Sequence, residues 1–346
     1  MNSKRLIWID VLKFLAIFGI IVIHVSSGFL SDEFLFSSIW YQAVCINSLF
    51  RFSIILFIMA SGYLILRKQQ PLSVIPKRIK RVLLLFIFWL IVYAIIKIIF
   101  KGASGSNVSD SLVYIANGFL NPTIVSIQFW YVYMILGLYV LSPILSKWIQ
   151  NASIKEIEYF ICIWVIFSLL QFFNVDSILI DYFKYFTGAI GYFILGYYLA
   201  IKKSPFLHNR KNGVVLFIVG SLITIVGTIL LSYLSGTQSL FFIKLGEITP
   251  GACLQAIGLY IIVINTNFDK LSNRLRNIIE KISIDSYGIY LANVLVFNFL
   301  ELIHLVNGSG FTALKLIFYS IVVLIISYIC IEIMARIPFI NKFSGK

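Results

Sequence analysis

The chain contains run after run of apolar residues long enough to cross a lipid bilayer, and this constrains its fold more than any other feature. A hydrocarbon core about 30 Å thick needs about 20 apolar residues per helix. Ten such runs fall at residues 10–30, 44–66, 82–100, 127–146, 157–173, 183–201, 214–234, 247–265, 284–305 and 312–334. Backbone amides and carbonyls have no water to bond with inside lipid, so each run must satisfy its own polar groups as a helix. The sequence therefore predicts an all-α polytopic membrane bundle of ten transmembrane helices. No intervening segment is long enough for a second domain, so residues 1–346 form a single membrane domain. Composition agrees, with 60% hydrophobic and only 12% charged residues. A soluble enzyme or a disordered chain is excluded, because a water-facing surface needs more polar residues than this. The first run follows Lys4 and Arg5 as a signal peptide would. However, it is too long, contains Asp10, Lys13 and His24, and lacks a small-residue cleavage site, so it reads as a retained helix.

The net charge is +14, from 28 Lys and Arg against 14 Asp and Glu. In a soluble protein that excess would suggest nucleic acid. Here its placement argues for topology. With ten spans, the segments on the N-terminal side hold most of the basic residues, including Arg67, Lys68, Lys77, Arg78, Lys80 and Arg81. The opposite side holds only Lys101 and Lys244. Basic loops stay in the cytoplasm, so both termini are expected there and no nucleic-acid partner is implied. The protein is expected to be a multi-pass protein of the cytoplasmic membrane. Four scattered cysteines form neither a CxxC pair nor a Cys/His cluster, so no metal site or disulfide framework is expected.

Charged groups inside spans are costly and need a reason. On the first helix Asp10 and Lys13 sit near the cytoplasmic edge. His24 lies fourteen residues past Asp10, about 21 Å along a helix rising 1.5 Å per residue. Arg51 is seven residues into the second run, which returns inward, so it should lie at a depth similar to His24. Imidazole takes and returns a proton near neutral pH, and guanidinium stays charged and binds carboxyl, carbonyl or phosphate oxygens. Together they suit attack of a hydroxyl on a polarised acyl group. A satisfied histidine at a helix interface is the competing reading. His208 and His304 lie in a basic loop and at an outer helix end, where solvation accounts for them. The run Pro76-Lys77-Arg78-Ile79-Lys80-Arg81 has two readings: an anchor against anionic lipid, or a phosphate site at a helix N-terminus. Lys13 opens at the same membrane face.

These residues resemble the integral-membrane acyltransferase-3 family, and particularly its enterobacterial common antigen O-acetyltransferase branch. The resemblance rests on Trp8-Ile9-Asp10-Val11-Leu12-Lys13 followed by apolar residues to His24. It continues through Asn47-Ser48, Arg51-Phe52-Ser53, Leu56 to Leu64, and Arg78-Ile79-Lys80-Arg81 as an Arg-x-x-Arg. Phe129-Trp130-Tyr131, Leu141-Ser142-Pro143 and Ser286-Tyr287-Gly288-Ile289-Tyr290 extend it. It implies ten helices and transfer of an acyl group, usually acetyl, from cytoplasmic acyl-CoA to a hydroxyl of a cell-envelope glycan or its lipid-linked precursor.

By position, the resemblance implies that His24 is the catalytic histidine. Arg78 and Arg81 match the family's arginine pair, implied to bind CoA phosphates or orient the donor, and Asp10 matches its first-helix acid. Lys13 stands where the family commonly has Arg, keeping the charge but not the bidentate fork. Asn293 stands where relatives often have His. Arg51 is expected to stabilise the oxyanion or orient the acceptor. Trp130 and Tyr131, at the outer end of the fourth span, read either as an interfacial aromatic belt or as a sugar-stacking platform. Glu247 and Glu301 at outer helix ends are solvated or contact the acceptor. The expected partners are acyl-CoA, an envelope glycan or lipid-linked sugar, and membrane lipid, with no permanently bound cofactor. A covalent acyl relay and direct transfer fit equally. A transporter or flippase, or a non-catalytic partner in polysaccharide export, is the alternative class.

Overall fold

A computed structural model describes residues 6–101, 108–173, 188–238, 249–303 and 313–345, and all regular structure among them is helical. The helices are α1 (Ile7–Ser27), α2 (Ser38–Leu49), α3 (Ser53–Leu66), α4 (Ile75–Lys101), α5 (Val108–Leu120), α6 (Trp130–Asn151), α7 (Ile154–Phe172), α8 (Ala189–Ile201), α9 (Arg210–Ser235), α10 (Pro250–Ile264), α11 (Asn273–Leu302) and α12 (Ala313–Arg336). Among the described residues seven segments are long and apolar enough to cross a membrane: α1, α2 with α3, α4, α6, α9, α11 and α12. The other three expected runs fall on α7, α8 and α10. Helices α8 and α10 are apolar but shorter, and parts of their runs lie outside the described residues. Helix α7 carries Lys155, Glu156 and Glu158 in its first turns. Large apolar side chains point outward along the long helices, among them Ile144, Val215 and Ile325, as lipid contact requires.

Two features depart from the sequence reading. The second run is not one helix but two, broken at Phe50–Phe52. The Ser53 hydroxyl donates to Phe50 O at 2.5 Å, a local bond that competes with the helical ladder. The other departure is α5, in a stretch between the third and fourth expected runs to which the sequence assigned no helix. At thirteen residues it is too short to span, so a search for 20-residue runs passes over it. After it, Pro122–Ile124 and Ile127–Phe129 form two short 3-10 turns, with Val125 and Phe129 fully buried. This irregular backbone lies against protein, where non-helical segments at membrane depth are tolerated.

Helix α1 is the centre of the bundle, with Leu12, Ala16, Ile17, Ile21 and Val25 fully buried. Contacts at both ends fix its neighbours' directions. Trp8 meets the Tyr63 ring at 4.8 Å, and Asn47 bonds Ser26 at 2.8 Å, so α2 and α3 run antiparallel to α1. Arg78 lies over Tyr139 at 5.9 Å and Tyr93 packs on Phe129 at 5.3 Å, so α4 and α6 are antiparallel. Phe57 meets Tyr131 and Gln150 reaches Leu66 O at 2.6 Å, so α6 runs with α3. Helices α1 and α4 therefore run the same way. Gly62 and Gly196 let the α3 and α8 backbones touch, since an added Cβ would lie 1.9 Å from Phe193 O or 2.1 Å from Met59 O. Such small-residue contacts drive helix association where lipid removes the hydrophobic driving force.

Candidate active site

Two polar centres lie along α1, one near each end. At the far end, His24 sits in the last turn of α1. The carbonyls of that turn are taken up locally: Val22 O accepts from Ser26 Oγ at 2.7 Å, and Ile23 O from Ser27 Oγ at 2.6 Å and Asn47 Nδ2 at 3.2 Å. Asn47 is 1% exposed and clamps α2 to the turn that carries His24. Arg51 falls in the break between α2 and α3. Gly19 packs against Ser53 and Phe50 while Asn47 reaches Ile23, so Arg51 lies at the depth of residues 19–23 on α1. Its guanidinium is near enough to the His24 ring to act on it electrostatically. Both residues are half-buried, enclosed by helices but still reachable. The break frees carbonyls that must find partners, and Gln255 Nε2 supplies one to Ser48 O at 2.9 Å. Neither Asn47 nor Gln255 drew a role from the sequence. Their function is to satisfy a helix break that periodicity does not reveal.

At the opposite, basic end, Asp10 is 5% exposed and its Oδ1 accepts from the Ser283 hydroxyl at 2.6 Å. Lys13 is half-buried one turn further along α1. Helix α4 begins with Lys77, Arg78, Lys80 and Arg81 and has no acidic residue in its first turn. A helix N-terminus is already the positive end of the dipole, so four cations there repel it and one another unless an anion joins them. Among the described residues neither arginine is ion-paired, and the buried Arg78 Nη1 has no hydrogen-bond partner. Arg81 Nη2 bonds Gly345 O at 2.9 Å, and the same tail packs on Gly288 of α11. Arg81 is thus level with Gly288, five residues past Ser283. His24 is fourteen residues past Asp10, so the centres are separated by about 14 Å along the bundle at 1.5 Å per residue.

Tyrosines occupy the space between α4, α6 and α11. Tyr139 lies beneath Arg78, and Tyr131 interacts electrostatically with Tyr139, Tyr287 and Tyr290. The Tyr290 hydroxyl donates to Gln128 O at 2.5 Å. The Tyr93 hydroxyl bridges Leu291 O and Leu295 N at 2.9 and 2.8 Å, entering the α11 ladder. Tyr287 Oη and Asn293 Oδ1 are buried without partners among the described residues. A buried polar atom left unpaired requires an explanation, and two in one interior mark polar space rather than dry core.

The aromatic residues at the start of α6 differ from the belt the sequence suggested. Trp130 is half-buried, but Tyr131 is 3% exposed and packs on Phe57 and on Tyr290, 5.1 Å away. The irregular segment before α6 tucks that helix end into the bundle, so Tyr131 is an internal side chain and not an interfacial one. Glu247 lies outside the described residues.

The profile of the acyltransferase domain of the acyltransferase-3 family matches residues 6–332. The chain belongs to this family. It is a membrane acyltransferase, and the matched region takes in Asp10, His24, Arg51, Arg78 and Arg81 and the twelve helices of the described residues, the last of them as far as Glu332. No curated protein and no solved structure matches it.

Proposed function

We propose that the protein is an O-acetyltransferase of a bacterial cell membrane, moving an acetyl group from cytoplasmic acetyl-CoA to a hydroxyl of an envelope glycan or its lipid-linked precursor. The observation that carries this reading is the pairing of an arginine cluster with no ion pair among the described residues, at one end of α1, with His24 and Arg51 near the other. Ten spans with both termini in the cytoplasm follow from the charge distribution and put the arginine cluster on the side where acyl-CoA is found. The CoA phosphates bind Arg78 and Arg81, supported by Lys13 and the α4 dipole. The pantetheine arm follows the tyrosines toward His24. Asp10, bonded to Ser283, holds α1 against α11 beside that path.

His24 accepts the proton of the acceptor hydroxyl as its oxygen attacks the thioester carbonyl. Arg51 stabilises the oxyanion of the tetrahedral intermediate. Collapse expels the CoA thiolate, which takes the proton back from the imidazolium. Passage through an acyl-imidazole would use the same two residues in the same places. Trp130 lies toward the acceptor side, where an aromatic face can stack on a sugar.

The test uses purified protein in liposomes with labelled acetyl-CoA and a panel of envelope glycans. Acceptor-dependent appearance of label in one glycan supports the reading. Solute flux with no acyl transfer and no CoA release would replace it with a transporter. Arg78→Ala with Arg81→Ala should weaken CoA binding at least tenfold, a loss of about 1.4 kcal/mol, and unchanged affinity would remove the phosphate assignment.

A further inference from the structure

The two arginines share a feature that the transfer reaction does not by itself require. Among the described residues each is held through Nη2 by a neutral oxygen and by no carboxylate. Arg78 donates to Gln70 Oε1 at 2.7 Å, and Arg81 donates to the backbone oxygen of Gly345 at 2.9 Å. Neutral acceptors fix a guanidinium in place without cancelling its charge, whereas a carboxylate would cancel the charge an anion needs.

Both acceptors are themselves anchored. The Gln70 amide nitrogen donates to Ile65 O at 2.7 Å and to Lys68 O at 3.0 Å, and its backbone N–H donates to Ser146 Oγ at 2.9 Å. This ties the α3–α4 loop to α6. The C-terminal segment is anchored more firmly. Phe343 stacks on Phe88 with centroids 4.5 Å apart and an interplanar angle of 11°. Ser344 is fully buried, and its hydroxyl donates to Asn341 O at 2.7 Å. The Ser344 carbonyl lies where only a glycine at 288 leaves room, since a Cβ there would be 2.1 Å from it. Gly345 has φ +89°, a conformation open to glycine and strained for other residues. It turns its carbonyl onto Arg81. A loop from one side and a tail from the other thus converge on two adjacent guanidinium groups, and the buried Arg78 Nη1 has no partner among the described residues.

We propose that Gln70 and the C-terminal segment Asn341–Gly345 are positioning elements of the donor site, which preorganise Arg78 and Arg81 to receive the phosphates of acyl-CoA. This rests on the acyl-CoA reading above. Their contribution is to donor affinity, because a guanidinium already fixed loses less freedom on binding. They do not reach the acyl carbon, so the chemical step is untouched.

The test uses the full chain with Gln70→Leu and, separately, Gly345→Val, which the positive φ disfavours and which dislodges the tail carbonyl. Calorimetry measures CoA affinity, and acetyl-CoA consumption gives KM and kcat. Each variant should raise the Kd and the KM about tenfold while kcat at saturation stays within about twofold. CoA affinity equal to wild type in both variants overturns the assignment. So does a fall in kcat at unchanged KM, which would mark a merely structural role. Wild-type protein that binds no CoA fails the acyl-CoA reading itself, and this assignment with it.

Discussion

Gly19→Ala tests whether the spacing of α1 and α3 sets the geometry of His24 and Arg51, the pair proposed to carry the chemistry. An added Cβ at residue 19 would lie 2.0 Å from Ser53 Oγ, against 3.4 Å for ordinary contact, so Ser53 or the helix that carries it must give way. Swinging the hydroxyl aside would break its bond to Phe50 O, and Phe50 Cδ1 is also 3.1 Å from the new atom. Overpacking of this kind costs about 1–3 kcal/mol. The functional effect should exceed the structural one. Ser53 directly follows the break carrying Arg51, and a displacement of about 1 Å at a reacting centre is worth about 10²-fold in rate. Adding Ser53→Ala removes the closest atom and leaves contacts of 3.1 and 3.2 Å, so the double variant should recover most of the lost rate. Thermal unfolding in detergent gives the stability change and acetyl-CoA consumption gives the rate. A Gly19→Ala protein as active as wild type, or a double variant no better than the single, would refute this reasoning.

Two further expectations can be checked separately. Asp10→Ala should destabilise the protein by about 1–3 kcal/mol by leaving the buried Ser283 hydroxyl without its acceptor, and Ser283→Ala in the same chain should recover part of the loss, as thermal unfolding will show. Glu156 completes a capping box with Ser153 at the start of α7. Hydrogen bonds from the Ser153 hydroxyl and amide hold its carboxyl below the ordinary value of 4.5, so its stabilisation is present above that value and is lost as pH falls through the lower folded one. Glu156→Ala should therefore lower the melting temperature at pH 7, with a difference that closes as pH falls through the lowered folded value.

The long apolar runs announced the helical bundle because lipid leaves the backbone no other solution, and seven of them stand as full-length candidate spans. Depth was also legible: counting residues along α1 and the second run put His24 and Arg51 at one level, and the structure brings them into electrostatic contact. The break at Phe50–Phe52 was not legible, since Leu-Phe-Arg-Phe-Ser carries no Pro or Gly to mark it, and the carbonyls it frees are met by the Ser53 hydroxyl and by Gln255 from a distant helix. Tyr131 was misplaced because α5 and the turns after it pull the start of α6 inward, and no periodicity encodes that. Gln70 and Gly345 were invisible for a related reason: their importance lies in meeting Arg78 and Arg81 across the fold. The run holding Arg78 and Arg81 was visible as a cluster of cations at a helix start, with a lipid anchor and a phosphate site both open, and the resemblance singled out the pair.

The central claim is that His24 carries the chemistry, while the arginine pair at the other end of α1 carries donor binding. Acetyl-CoA consumption by His24→Ala, with CoA affinity measured on the same preparation, tests it most directly. Turnover should fall by at least 10²-fold, the lower end of what a general base supplies, with the Kd for CoA within about twofold of wild type. Turnover close to wild type in a protein that still binds CoA would contradict the account.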